Sequence, residues 1–306
     1  MKHHLFILGA IAVFFGSAAA AEQSDDFKAL MARQDFVAGD YAAAIAKAQP
    51  LADAGQPRAL TLLGLMHERG LGMTADPAKA LEYYRKAADL GFPQAIQNLA
   101  SCYRFGELGV TEDDVKARAL FAQAAALELG QALSQLGEML REGEGGPVDM
   151  PMAVALFERA VSMGDPDGTA EYAYMLATGD GAEIDLPRAR KLYEIAAAHG
   201  IDWAERDFGE MLELAEGGPS DLVRAKEFYQ RAVAQDYAMA GYDIAEMAWA
   251  NPEPFPDKVE ALAYCLWAES FPPMADGSDY DGKCVDASAA LGADDVAKAK
   301  AMAESF

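Results

Sequence analysis

Apolar positions recur along this chain with two superposed periods. At short range they fall at offsets of 0, 3, 4 and 7, the buried stripe of an amphipathic helix. At long range the stripe itself returns every 36 or 37 residues. Ala80, Ala117, Ala153, Ala189, Ala225 and Ala261 mark its start. Four residues after each stand Tyr84, Phe121, Phe157, Tyr193, Tyr229 and Cys265, and seven after each stand Ala87, Ala124, Ala160, Ala196, Ala232 and Ala268. Four residues before each alanine is an aspartate: Asp76, Asp113, Asp149, Asp185, Asp221 and Asp257. Those aspartates sit where an N-cap belongs, with Pro77, Pro151 and Pro187 just inside the first turn. As caps each contributes on the order of 1 kcal/mol, a simpler account of the row than a charged ladder. Gly91, Gly130, Gly164 and Gly200 supply the expected stops. A fixed period of this length predicts an array of repeats.

A second helix precedes each of these. Its marker is a small residue, Gly64, Ala100, Gly137, Ala173, Gly209 or Ala245, preceded by a large apolar one such as Leu63, Leu99 or Phe208. The small residue predicts close approach of the two helices, with the aromatic of the second helix filling the remaining space. Between the two lie glycine-rich loops, Gly70-Leu-Gly72, Gly143-Glu-Gly-Gly146, Gly179-Asp-Gly181 and Gly217-Gly218. None follows a strand or carries the lysine of a phosphate-binding loop. Their recurrence in register points to turns needing positive φ.

Residues 59 to 91 carry the pattern most fully, and it resembles the Sel1-like repeat, a relative of the tetratricopeptide repeat. The family's tyrosine in the first helix is kept only at Tyr103; its counterparts are His67, Leu140, Leu176, Leu212 and Ala248. The resemblance implies an all-α, right-handed α/α superhelical solenoid, mostly a protein-binding scaffold without catalysis or cofactor. About seven repeats are expected over residues 22–270. The first is divergent, with a short loop at Gly39-Asp40, and the one extra residue of the array falls in the third repeat between Phe105 and Asp114. Residues 271–306 read as an acidic loop and an alanine-rich final helix, which resembles the capping helix of many such arrays.

Residues 1–21 read as a secretory signal peptide: Lys2, an apolar run from Leu5 to Phe15, and a small-residue cleavage region ending at Ala21. The apolar run is too short to span a bilayer. The expected location is therefore the periplasm, or outside the cell, with no membrane insertion after cleavage. The chain carries 49 Asp and Glu against 25 Lys and Arg, a formal net charge of −24. That balance argues against nucleic acid and anionic lipid as partners and favours a protein or peptide with a basic segment.

Of the three cysteines, Cys102 falls in a buried column and reads as a free thiol. Cys265 and Cys284 are a disulfide candidate that would tie the cap to the last repeat; two unpaired thiols are the alternative. Some Sel1-like relatives carry a cysteine pair in every repeat and are linked to penicillin binding, so a cell-wall ligand-binding protein or enzyme is the alternative function. This chain lacks those pairs, a Gly-x-Ser-x-Gly, a Ser-x-x-Lys and a zinc-binding histidine pair. His67 reads as structural and His199 as a helix-end residue. Asp276 to Gly282 resembles a calcium loop until its ligand register is counted, when Gly277 and Ser288 fall on ligand positions.

By resemblance to tetratricopeptide arrays, the first helix of each repeat lines the inner face. Its inner columns then include Tyr174, Trp203, Arg206, Glu210, Glu213, Tyr242, Glu246 and Trp249, where earlier repeats have Gln94, Gln97, Ser101, Gln131 and Ser134. Tyr174, Trp203, Arg206, Glu210, Tyr242, Glu246 and Trp249 are the candidate partner-binding residues, with tyrosine and tryptophan offering contact area at low entropic cost. Packing of Tyr242 and Trp249 beneath the cap is the competing account.

Overall fold

A computed structural model describes residues 24–251, 257–271 and 283–306. The signal-peptide segment, residues 1–21, and the calcium-like run Asp276 to Gly282 lie outside the described residues. Among the described residues there are sixteen helices and no strand, and the chain divides at Asp149/Met150 into two units.

Unit 1 holds α1 (Asp25–Val37), α2 (Tyr41–Asp53), α3 (Pro57–Arg69), α4 (Pro77–Asp89), α5 (Pro93–Phe105), α6 (Asp114–Ala126) and α7 (Gly130–Glu142). Each helix packs on the next, and the first helices of successive pairs, α1 with α3 and α3 with α5, also touch. Unit 2 holds α8 (Met150–Ser162), α9 (Pro166–Thr178), α10 (Leu186–Ala198), α11 (Asp202–Glu213), α12 (Leu222–Val233), α13 (Ala238–Ala250), α14 (Lys258–Ala268), α15 (Lys283–Ala289) and α16 (Ala293–Ala303). It follows the same rule as far as α15, α11 also touching α13, and α16 closes it by packing on α14. Each unit is thus a solenoid of consecutive helix pairs.

The period has a local cause at each punctuation mark. Asp76, Asp113, Asp185 and Asp221 each accept, through Oδ1, the N–H three residues on. Their own N–H groups donate to the carbonyls of His67, Tyr103, Leu176 and Leu212. That bond uses the backbone of the family's tyrosine column, so the side chain there is free to vary. Where the second helix ends, the left-handed residue recurs at Gly91, Glu128, Gly164, Gly200 and Asp236. The expected stop at Gly130 is therefore corrected: Glu128 makes the turn at φ 62°, and Gly130 opens α7 instead. The extra residue of the third repeat appears beside Leu108, at φ 53° between Gly106 and Gly109.

The small residues of the first helices are steric necessities. A Cβ on Gly64 would stand 2.6 Å from Tyr84 Cε1, and one on Gly209 would stand 2.8 Å from the Tyr229 ring. Tyr84, Tyr193 and Tyr229 are fully buried, and their hydroxyls donate to Glu68, Asp207 and Glu213 respectively. Buried phenols normally find such a partner. The glycine loops are filled by the chain itself. Arg118 reaches the carbonyls of Glu144 and Pro147, and two repeats later Arg190 reaches those of Glu216 and Pro219. A Cβ on Gly145 or Gly217 would lie 2.2 or 2.3 Å from a backbone carbonyl oxygen, of Asp114 or Leu186. These two loops have no room for a phosphate.

Cys265 and Cys284 are joined in a disulfide, which ties α15 to α14. Phe306 stacks on Tyr264 at 4.5 Å, so α14 is covered at its far side. Cys102 is a buried free thiol whose pKa burial pushes up to about 12, which keeps it protonated and inert at neutral pH. His67 stacks on Tyr83 at 5.6 Å, and burial lowers its pKa.

Candidate functional site

Four of the seven candidate residues meet in unit 2. Arg206 and Glu210 on α11, with Tyr242 and Glu246 on α13, line a groove of about 270 Å³ open to solvent. Glu213, Leu214, Tyr229, Met239 and Asp243 complete it. The groove exists because α11 and α13 are the first helices of successive pairs and lie side by side over α12. Gly209 lets α12 approach closely, which brings Tyr229 to the groove floor.

Arg206 is the centre of the charge arrangement. Its Nε donates to Asp243 Oδ2 at 2.7 Å, its Nη1 to Glu210 Oε2 at 2.6 Å and to Asp207 Oδ1 at 3.1 Å. A second bond from Nη2 reaches Asp243 Oδ1 at 3.3 Å, so the α13 carboxylate is held bidentately by the Nε–Nη2 edge. Glu213 accepts from the Tyr229 hydroxyl, and Glu246 is exposed at the rim. Three carboxylates thus hold one guanidinium, and Glu213 and Glu246 stand in the same groove, leaving a strong negative excess. Burial, the largest influence on each, raises the pKa of Asp207, Glu210 and Glu213, and Arg206 opposes it at Asp207 and Glu210. The guanidinium's own pKa is raised by these partners against its burial.

The other three candidates stand apart from the groove lining. Trp203 is half-buried and meets Tyr193 edge-on at 6.2 Å. Tyr174 is half-buried on α9. Trp249 is half-buried, with Lys258 Nζ 5.2 Å from its ring centre. Tyr242 is buried within the groove wall, while the cap helix α16 packs on α14.

Asp207 and Asp243 were not singled out in the sequence. The signal was present: both stand two residues before the small marker of their helix, 36 residues apart, and Glu171 is the preceding member of the column. Among the described residues no group of three or more His, Cys, Asp or Glu is arranged to hold a metal ion. The chemistry of the groove is electrostatic: it can accept hydrogen bonds from a cationic side chain.

The Sel1 repeat model matches residues 57–92, 93–129, 130–165, 166–201 and 204–237. Among solved structures, a Sel1 repeat protein from Oxalobacter formigenes is similar with a TM-score of 0.69 and 23% identity, over 81% of this chain and 98% of that one. A protective antigen present in uropathogenic Escherichia coli strains, displaying an SLR fold, is similar with a TM-score of 0.66 and 24% identity. That match spans 92% of this chain but 61% of the antigen. At these identities the likeness is one of fold. No protein with a curated description matches the chain. Proteins of such repeats are generally non-catalytic scaffolds for protein–protein interaction. The repeat matches fill more than half of the sequence, and the chain belongs to the Sel1 repeat family.

Proposed function

We propose that this protein is an exported, non-catalytic scaffold that holds a basic segment of a protein partner in the α11–α13 groove. The observation that carries the reading is the convergence of Arg206, Glu210, Tyr242 and Glu246, from two different repeats, on one acidic groove. A lysine or arginine entering there would be met by Glu210, Glu213 and Glu246, with the Tyr242 and Met239 side chains beside its aliphatic stem. Arg206 is already engaged by three carboxylates and so does not repel as a free cation would. Export is supported by the leader-like residues 1–21 and by the Cys265–Cys284 disulfide, a bond that persists in oxidising compartments. Roles in envelope signalling or in assembling envelope complexes fit such a scaffold.

The test is affinity capture from an envelope extract, with Glu210→Gln/Glu246→Gln as the control bait. Both positions are solvent-accessible, so circular dichroism of the variant should match the parent. A protein enriched by the parent and lost with the variant is the expected result. Fluorescence polarisation with a labelled Lys- and Arg-rich peptide should show saturable, salt-sensitive binding weakened about tenfold by the same variant. Equal capture and equal peptide affinity for both baits would remove the groove from the binding reaction.

A further inference from the structure

Between α1 and α3 of unit 1 the lining charge has the opposite sign, Arg33 and Arg58 with no acid among the lining residues. A small groove of about 80 Å³ runs between α1, α3 and Phe92, the residue that opens α5. Leu30, Phe36, Leu62, Leu65 and Phe92 make it apolar, and Arg33 and Arg58 stand along it. Leu30 is 52% exposed, a large apolar side chain left in water between two arginines. Arg33 is exposed on α1 and has no hydrogen-bond or ion-pair partner among the described residues. Arg58 lies over the Phe92 ring at 5.4 Å. Its nearest carboxylate, Asp26, is at 3.7 Å and already accepts a 2.7 Å hydrogen bond from Gln56. On α3, Arg58, Leu62, Leu65 and Arg69 follow helical spacing, so Arg69 extends the same stripe.

These arginines stand out in a chain of net charge −24. Elsewhere on the first helices the guanidinium is consumed internally: Arg104 is held by Glu138 and Glu144, and Arg206 by Asp207, Glu210 and Asp243. A guanidinium stacked on an aromatic ring and presented beside an apolar cleft matches a carboxylate next to an apolar side chain. The groove is too small and its positive charge too local for a polyanion. Nucleic acid or an anionic bilayer would meet the repulsion of the whole acidic chain, whereas one or two peptide carboxylates would feel chiefly the nearby arginines.

We infer that the α1–α3 groove is a second peptide-binding site, which takes a partner segment with a leucine or phenylalanine flanked by carboxylates. The apolar side chain enters between Leu30, Phe36, Leu62 and Phe92, and the carboxylates accept from Arg33 and Arg58. This site is independent of the acidic groove in unit 2 and does not rest on the function proposed for it.

The experiment uses the full chain and three fluorescein-labelled peptides in which Leu and Phe alternate with Glu, with Gln or with Lys. The Glu peptide should bind saturably, more tightly than the Gln peptide, and less tightly as salt is raised. Arg33→Glu/Arg58→Glu should weaken the Glu peptide at least about tenfold, while Glu210→Gln/Glu246→Gln leaves it unchanged. Both arginines are exposed, so the reversed variant should keep its circular dichroism; Arg33→Gln/Arg58→Gln, a milder change, should give an intermediate loss. Equal affinity for the Glu and Gln peptides, or an affinity untouched by the charge reversal, would overturn the inference. So would binding of phosphatidylglycerol vesicles that depends on the same arginines without any binding of the Glu peptide.

Discussion

The α1–α3 groove and the α11–α13 groove occupy equivalent places in two units built on one repeat, and their charges are opposed. Both lie where the first helices of neighbouring pairs run side by side. In the first, Arg33 has no partner among the described residues and Arg58 has only a distant one. In the second, one arginine is chelated by three carboxylates and further acids surround it. The difference teaches that the repeat dictates where a groove forms and leaves its chemistry free. Columns facing the neighbouring helix pair are fixed by packing; the groove columns are constrained by no contact common to all repeats. The two arginine arrangements also differ in kind. Arg206 links α11 to α13 and so belongs to the framework of its groove. Arg33 and Arg58 are exposed and available.

The largest expected effect separates these two kinds of arginine. Arg206→Ala leaves Asp207, Glu210 and Asp243 facing one another without their cation and should destabilise α11–α13 by about 3 kcal/mol. Arg58→Ala should stay within about 0.5 kcal/mol, since its side chain is 53% exposed and weakly paired. Hydrogen exchange resolved by helix would read both; equal effects would abolish the distinction. Next in size, Gly64→Ala and Gly209→Ala place a methyl against Tyr84 and Tyr229 and should each cost about 1–3 kcal/mol. Similar losses in denaturant unfolding would confirm that the two units share their packing while differing in their grooves. Removing a cap, by Asp76→Ala in unit 1 or Asp221→Ala in unit 2, should cost about 1 kcal/mol in either place. A large inequality would show that the caps are less equivalent than their geometry.

The smallest effect is a pH dependence of the acidic groove. Asp207, Glu210 and Glu213 have pKa values raised by burial, so the folded state holds their protons more tightly than the unfolded chain. Their contribution is therefore fully present below the unfolded carboxylate pKa and is lost as pH rises through the raised folded values. Protection of α11–α13 amides should fall over that window, by under about 1 kcal/mol given the solvent screening at Glu210. Glu210→Gln/Glu213→Gln should flatten the slope. Binding of a basic peptide should move the other way and strengthen as the groove ionises.

Much of the fold was legible in the sequence because the repeat writes each constraint several times. One aspartate four residues before an alanine means little; a row of them at a single offset specifies where helices begin. Gly64 and Gly209 were readable as close-approach residues for the same reason, and the rings of Tyr84 and Tyr229 fill the space they leave. Gly130 was misread because a glycine near a helix end can be the left-handed stop or the first residue of the next helix. Glu128 adopts positive φ in its place, which sequence pattern does not announce.

The grooves were less legible. Of the residues projected from the repeat columns, Arg206, Glu210, Tyr242 and Glu246 line one groove, while Trp203, Tyr174 and Trp249 lie outside that lining. Column position gives the direction of a side chain and says nothing of what stands opposite it. Arg33 was not legible as a groove residue because α1 belongs to a divergent repeat, and Arg58 because its position at the start of α3 says nothing of what stands opposite it. Their conjunction with Phe36 and Phe92 brings together three separate helices.

The sequence by itself determined the helix pairs, their caps and most of their stops, because these depend on residues within one period and on backbone hydrogen bonds that any chain must satisfy. It also determined the acidity of the whole. Only the tertiary structure decided which charges are consumed and which remain available. That outcome depends on distances between side chains a full repeat apart: Arg206 finds Asp243 across 37 residues, while Arg33 finds no acid among the described residues. The charge of each groove is a property of the packed helices and cannot be summed from the composition.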